Sequence, residues 1–514
     1  MNESKNQLRI GVVLSYINLG IGCLIPFIYT PVMLRILGQS EYGLYSLSNS
    51  VINYLTLLTF GFGSTVIRYL SKYRAEDNKE AVQKTFGLFL CLYSIAAVIV
   101  LLVGTFLAFH VEEIFHRGLT ETEIDKVHIL VLIMTFNTAL SFPLSVFSSV
   151  ITSYERYIYR KLIDMISTIA APVLNLIALY LGFASVGMAL TTTILQLIML
   201  PLNMGYCCKV LKIVPKFGKI DGGLLREMLG FSFYAFIGTL VDLLFWSTDR
   251  VILGMLAGSV AVAVYNVGGS FNSIVMNLST SISSVLTPKI TGMVVTDAGK
   301  DRLTEIFIRV GRLQYLIIAL IISGFTVFGQ WFISLWAGKE YADSYLIAIL
   351  TLFPLCIPLI QNTGLSIVTA QNKHKFRSLV YLGIAILNAI STYLVVPYLG
   401  NIGAALCSGV SYILGHGIVM NVYYYKVTGI NIPLFWKNIG KMSIIPAVMI
   451  IIGTFLRQFI VSIDWIKFLC LVFIFAIIYG ISMYICCMNE YEKNIIKSPI
   501  YKIKRLIKKR GKKV

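Results

Sequence analysis

Apolar runs of bilayer length, separated by short polar stretches, recur along the whole chain. A crossing takes roughly 20 predominantly apolar residues, and fourteen runs meet that length: 10–34, 44–67, 86–109, 129–152, 162–181, 185–207, 229–256, 260–287, 310–335, 345–369, 378–397, 402–424, 442–463 and 466–487. Cytoplasmic loops collect Lys and Arg, which gives a test of that assignment. Segments on alternate sides of the fourteen runs divide the cations 36 to 7, and the richer side holds both ends of the chain. The pattern therefore predicts an all-α polytopic membrane protein of 14 transmembrane helices with both termini cytoplasmic. Outward loops carry nine acids, Glu112, Glu113, Glu121, Glu123 and Asp125 among them. None is long enough for an exported catalytic domain. Trp331, Trp336 and Trp465 fall at predicted outer helix ends, where amphipathic rings sit at the headgroups. Pro26, Pro31, Pro143, Pro354 and Pro358 should bend helices one, four and ten.

Composition sharpens this picture. Of 514 residues, 57% are hydrophobic and 13% charged, with a mean hydropathy of +0.80. About a quarter of an ordinary soluble chain is charged, so a soluble enzyme, a disordered tail and a coiled coil are excluded. The net charge of +19 does not indicate nucleic acid, because the basic residues are spread over many loops rather than gathered on one surface. Nine cysteines lie in or beside apolar runs without ligand spacing, and the first run is too long for a cleavable signal. His110, His116 and His128 share one acidic outward loop without tight metal spacing, and His416 is the single histidine inside a span. No metal site and no cofactor are expected. The basic tail from Lys493 to Val514, with Ile500, Ile503 and Ile507 at helical spacing, is suited to lie on anionic membrane lipids.

The chain also repeats itself. Leu174-Asn175, Tyr180-Leu181-Gly182 and Gly187-Met188-Ala189-Leu190 return as Leu387-Asn388, Tyr398-Leu399-Gly400 and Gly403-Ala404-Ala405-Leu406. Leu34-Arg35-Ile36-Leu37-Gly38 is similar to Asp249-Arg250-Val251-Ile252-Leu253-Gly254, and Tyr45 and Ser50 recur 220 residues later as Tyr265 and Ser270. Six helices separate the copies, so both halves share one orientation and their symmetry axis stands along the membrane normal. The expected organisation is two pseudo-symmetric six-helix lobes, 1–218 and 219–430, then two extra C-terminal helices over 431–489 and a cytoplasmic tail over 490–514.

Arg35-Ile36-Leu37-Gly38 through Glu41-Tyr42-Gly43-Leu44-Tyr45-Ser46-Leu47, then Gly61-Phe62-Gly63 and Arg68-Tyr69-Leu70-Ser71-Lys72, resemble the start of polysaccharide transporter proteins. These are the Wzx-type O-antigen and capsule flippases of the multidrug/oligosaccharidyl-lipid/polysaccharide (MOP) superfamily. Fourteen helices and the two Gly-x-Ala-Leu hairpins extend the resemblance over nearly the whole chain. It implies transfer of undecaprenyl-pyrophosphate-linked oligosaccharide repeat units from the cytoplasmic to the outer leaflet of a bacterial cell membrane. Alternating access is the implied mechanism, alongside other polysaccharide assembly proteins.

Such a passage needs polar groups inside hydrocarbon, where ionisable residues are functional candidates. On helix seven, Trp246, Asp249 and Arg250 follow Asp242 at i+4, i+7 and i+8 and share its face with Gly238 and Thr239. Asp242 and Asp249 are the candidates for coupling to an H+ or Na+ gradient; a structural carboxylate is the other reading. Arg35 and Arg250 are repeat mates at outer helix ends, while Arg68 and Lys289 stand at inner ends. These four are candidates for the pyrophosphate, arginine offering a bidentate fork and lysine a point charge; alternatively they snorkel to lipid phosphates. Asn18, Asn53, Gln361 and Asn362 are candidates for sugar contacts, against interhelical hydrogen bonding. Two other functions compete: a cation-coupled multidrug or metabolite exporter, which the extra helices over 442–487 disfavour, and a membrane-embedded glycan polymerase or glycosyltransferase, for which Glu112-Glu113 is thin support. No Gly-x4-Gly-Lys-Ser/Thr loop occurs, and no catalytic residue is assigned.

Overall fold

A computed structural model of the chain describes residues 2–495, apart from 219–221, 297–298, 372 and 461–462, together with residue 497. Most of the expected basic tail, including Ile500, Ile503 and Ile507, lies outside the described residues. Helices account for nearly all of the described backbone, and no strand occurs among those residues. Hydrocarbon offers backbone groups no partner, so a spanning segment must close its own hydrogen bonds as a helix. The first half of the chain folds as α1 (Asn2–Asn53), α2 (Phe62–Ala75), α3 (Lys79–Phe109), the short α4 (Val111–Phe115), α5 (Glu121–Ser153), α6 (Tyr157–Tyr180) and α7 (Ala184–Gly205). Next come α8 (Gly222–Trp246), α9 (Thr248–Leu256), α10 (Ser259–Val295), α11 (Lys300–Trp336), α12 (Ser344–Ile360) and α13 (Asn362–Ala370). After α14 (His374–Tyr412) and α15 (Asn421–Tyr423) the chain ends in α16 (Ile432–Arg457) and α17 (Trp465–Cys486).

Short polar side chains start several of these helices by accepting an orphan backbone N–H. Asn78 accepts from Ala81 N at 3.0 Å before α3, Asn431 from Leu434 N at 3.0 Å before α16, and Asp464 from Lys467 N at 2.8 Å before α17.

Among the described residues ten helices are long and apolar enough to cross a bilayer, or eleven if α12 and α13, bent by 41° at their junction, form one span. The expected fourteen are not reached by this measure because sequence loops have become helix. The stretch Val13–Ala75 is 63 residues long and Phe376–Thr428 is 53, each more than twice a single crossing, and each holds two expected spans. In α1 only Gly38 leaves helical geometry (φ 75°), and in α14 only Gly400 does (φ 53°). The expected continuous helix over 229–256 is instead divided at Ser247 into α8 and α9. The α12–α13 break follows Pro354 and Pro358, whereas α1 and α5 remain helical through Pro26, Pro31 and Pro143. At the two repeated Tyr-Leu-Gly segments the backbone also matches: Gly182 and Gly400 both take positive φ. So do Gly38 and Gly258, which are 220 residues apart.

Two compact units divide the chain, Met1–Val267 with Tyr381–Cys407 and Gly268–Val380 with Ser408–Val514. Within the first, small residues let helices approach: a Cβ on Gly104 of α3 would stand 2.3 Å from the Thr135 side chain of α5. Within the second, Phe332 stacks on Trp336, Phe271 tilts against Trp336, and Phe332 meets both Phe271 and Trp465 edge-on. There too a buried ion pair joins α11 to the residues after α17. Arg312 Nε and Nη2 donate to the two oxygens of Glu492 at 2.6 and 2.9 Å.

Candidate functional site

The most deeply placed of the sequence-derived candidates is Asp249, at the start of α9 and 1% exposed. A bare carboxylate so placed would be costly, and neutral donors from two other helices meet it. Tyr265 Oη of α10 donates to Oδ2 at 2.6 Å, while Asn388 Nδ2 and Thr392 Oγ1 of α14 donate to Oδ1 at 3.2 and 3.3 Å. Tyr265 and Asn388 are both positions that the internal repeat singles out. Arg250 follows directly and is half-buried. Its electrostatic neighbours are Asp249, Tyr265 and Tyr42 of α1. Its Nε is buried and has no hydrogen-bond partner among the described residues. Beside it Asn266 Nδ2 donates to Tyr42 Oη at 2.5 Å and to Ser46 Oγ at 3.1 Å. Within this unit, then, α1, α9, α10 and part of α14 bring together a carboxylate, a guanidinium, two phenols and two amides.

The other candidates are dispersed. Asp242 is exposed on α8, on the far side of the Ser247 break from Asp249. Arg35 is exposed just before Gly38, and Arg68 is exposed on α2. Arg68 adjoins Tyr69, whose hydroxyl engages Glu227 of α8. Asn18 and Asn53 are half-buried in the first unit, and the Asn18 carbonyl oxygen has no partner among the described residues. Lys289, Gln361 and Asn362 belong to the second unit. Lys289 is exposed. Gln361 donates to Asn421 Oδ1 at 2.7 Å, and Asn362 donates to Ser279 Oγ at 3.4 Å. Both amides therefore bind neighbouring helices at the α12–α13 bend.

Sequence reasoning missed a second polar assembly in the first unit, formed by three expected outward connections. Glu123 Oε1 accepts from Ser40 Oγ at 2.7 Å and Ser259 Oγ at 2.5 Å, while its Oε2 accepts from Thr120 N at 3.0 Å. Glu41 pairs with Lys126 and accepts from Ser185 Oγ at 2.5 Å. The backbones meet with no side chain between them. A Cβ on Gly43 would lie 1.9 Å from Ser259 O, and one on Gly118 would lie 2.2 Å from Gly254 O. Partners separated by 83 and 136 residues leave no local signal; only the acidic loop composition points to the region.

An apolar helical bundle carrying buried charged and amide groups at helix ends is the architecture of a membrane transporter, and solved structures share it. The chain is similar in fold to a structure titled "Lipid II flippase MurJ, inward closed conformation", with a TM-score of 0.73, 14% identity, and coverage of 92% of this chain and 98% of that one. An inward-facing multidrug resistance MATE family transporter of the MOP superfamily aligns at a TM-score of 0.61 and 14% identity, over 78% of this chain and 96% of the other. Residues 11–294, more than half the chain, match the family described as polysaccharide biosynthesis protein, and the chain belongs to that family. It is also 22% identical over 508 residues to the uncharacterized membrane protein EpsK of Bacillus subtilis (strain 168), covering 94% of each chain.

Proposed function

We propose that this protein moves undecaprenyl-pyrophosphate-linked oligosaccharide repeat units from the cytoplasmic to the outer leaflet of a bacterial cell membrane, by alternating access between lobes 1–218 and 219–430. Family membership and the fold shared with a lipid II flippase support the reading. The single observation that carries it is Arg250. A buried donor without a partner costs about 1–3 kcal/mol, and an anionic oxygen is the complement that removes the cost. Pyrophosphate supplies such oxygens, and a guanidinium can bind them in a fork. Asp249 beside it, and Asp242 on α8, are the groups through which an H+ or Na+ gradient would act. Arg35, Arg68 and Lys289 offer further cations along the route, and Asn18, Asn53, Gln361 and Asn362 offer contacts to sugar.

Deleting the protein and assaying lipid-linked glycans by leaflet tests this reading. The expected result is intact oligosaccharide-lipid trapped in the cytoplasmic leaflet, rescued by the wild-type chain, with rescue at least tenfold weaker for Arg250→Gln at equal expression. Normal surface glycan together with lost resistance to small toxic cations would overturn it in favour of the multidrug exporter, whose fold the chain also shares.

A further inference from the structure

A cavity of about 430 Å3 lies inside the first unit, away from Asp249, among α2, α5, α6 and α7. It reaches Thr152 and Arg160, beside the expected cytoplasmic loop over 153–161, and its size falls in the range of about 300–1,000 Å3 typical of small-molecule sites. Hydroxyls dominate its polar wall. Along α5, Ser141, Ser145, Ser148 and Thr152 follow one another at three or four residues and so share one helix face, with Ser149 next to Ser148. Each hydroxyl has a single proton to give, and most of these protons are already spent on their own helix. Ser141 donates to Thr138 O at 2.7 Å, Ser149 to Ser145 O at 2.9 Å and Thr152 to Ser148 O at 2.9 Å. What remains for the cavity is the lone pairs of these oxygens and the O–H protons of Ser148 and of Ser167 on α6.

Two further groups, both on α6, set the charge. Arg160 Nη2 and Asp164 Oδ1 pair at 3.2 Å across one turn of α6, so the only charged side chains of the lining cancel. Asn203 of α7, 2% exposed, lines the same space.

A hydroxyl-lined wall of no net charge selects its ligand. Phosphate would find no net positive charge, because Asp164 already neutralises Arg160. A bare cation would need oxygens at about 2.3–2.6 Å on every side, which a space this wide does not provide. A neutral molecule bearing several O–H donors satisfies the wall. We propose that this cavity is a saccharide site, which, resting on the flippase reading above, takes one or two neutral sugar residues of the lipid-linked headgroup on the cytoplasmic side.

Saturation-transfer difference NMR on the full chain in lipid nanodiscs, with free lactose and N,N′-diacetylchitobiose as probes and inorganic pyrophosphate as control, tests the site. Wild type should give saccharide signals. Ser148→Leu with Ser167→Leu, which fills the space, should weaken them at least fivefold, and the isosteric Thr152→Val, which keeps the packing, should weaken them about two- to threefold. Size-exclusion elution and far-UV circular dichroism report whether each variant is folded. Absence of saccharide signal in wild type, equal signals in folded variants, or a pyrophosphate signal that Thr152→Val removes would each overturn the proposal. The two readings fail separately. Saccharide signals indifferent to the variants, with glycan transfer intact, sink only this site; variant-sensitive binding in a chain that does not restore glycan export sinks only the transport reading.

Discussion

Replacing Glu492 by Gln is a sharp probe of how the end of the chain is held to the second unit. The Arg312 and Glu492 side chains are 8% and 1% exposed, and Glu492 also closes a reciprocal turn, with Asn489 N donating to its Oε2 at 2.9 Å and Glu492 N donating to Asn489 Oδ1 at 2.9 Å. Gln keeps the shape, but its amide nitrogen turns a donor toward the guanidinium and leaves that charge without a counterion. Stranding one member of a buried pair costs about 3–5 kcal/mol. Arg312 Nη2 still donates to Cys487 O at 2.8 Å, which places the expected loss near the lower end, about 3 kcal/mol, or roughly a hundredfold in the folding equilibrium. SDS titration of the purified full chain, followed by far-UV circular dichroism, reads this difference. Removing both charges, in Arg312→Met with Glu492→Leu, should recover most of the loss because no unpaired charge remains. A Glu492→Gln curve within about 0.5 kcal/mol of wild type, or a double variant as unstable as the single one, would refute the reasoning.

Gly43→Ala should force the outward connections apart or lose about 1–3 kcal/mol to overpacking, whereas Gly63→Ala, where nothing lies within 4 Å, should be neutral or stabilising by up to about 1 kcal/mol; thermal unfolding of the two side by side checks the contrast. Asp242→Asn at normal expression should flatten the dependence of glycan transfer on the imposed H+ or Na+ gradient in proteoliposomes, and a gradient dependence equal to wild type removes that carboxylate from any coupling role.

The helices were legible because an apolar run of bilayer length has one stable backbone solution, and the junction after Pro354 and Pro358 was legible because proline cannot donate. The fusion of neighbouring spans through residues 35–43 and around 400 was not, since polar residues in a helix and in a loop look alike until a single glycine shows which it is. Asp249 was legible as a candidate from its place on the helix-seven face and Arg250 through the repeat, which also marks Tyr265 and Asn388 without making them candidates. That these four meet was not, because repetition marks equivalent positions and not partners. The serine face of α5 shows the opposite failure. Its spacing is written plainly between Ser141 and Thr152, but small hydroxylated residues inside a span have packing as their ordinary explanation, and only the space in front of them argues otherwise. Arg312 and Glu492, 180 residues apart, carry no local pattern that connects them.

Where main chain rests directly on main chain at Gly43 and Gly118, the surfaces meet without a side chain between them, and the buried Leu47 packs against Gly254 beside them. The work of parting them is chiefly the bond from Ser259 to Glu123 and those from Asn266 to Tyr42 and Ser46, and at about 1.5–3 kcal/mol for the one to a charged group and about 0.5–1.5 kcal/mol for each neutral one it comes to roughly 2.5–6 kcal/mol. A seam of this strength is thermally secure on the scale of single encounters and rests on a few directional bonds.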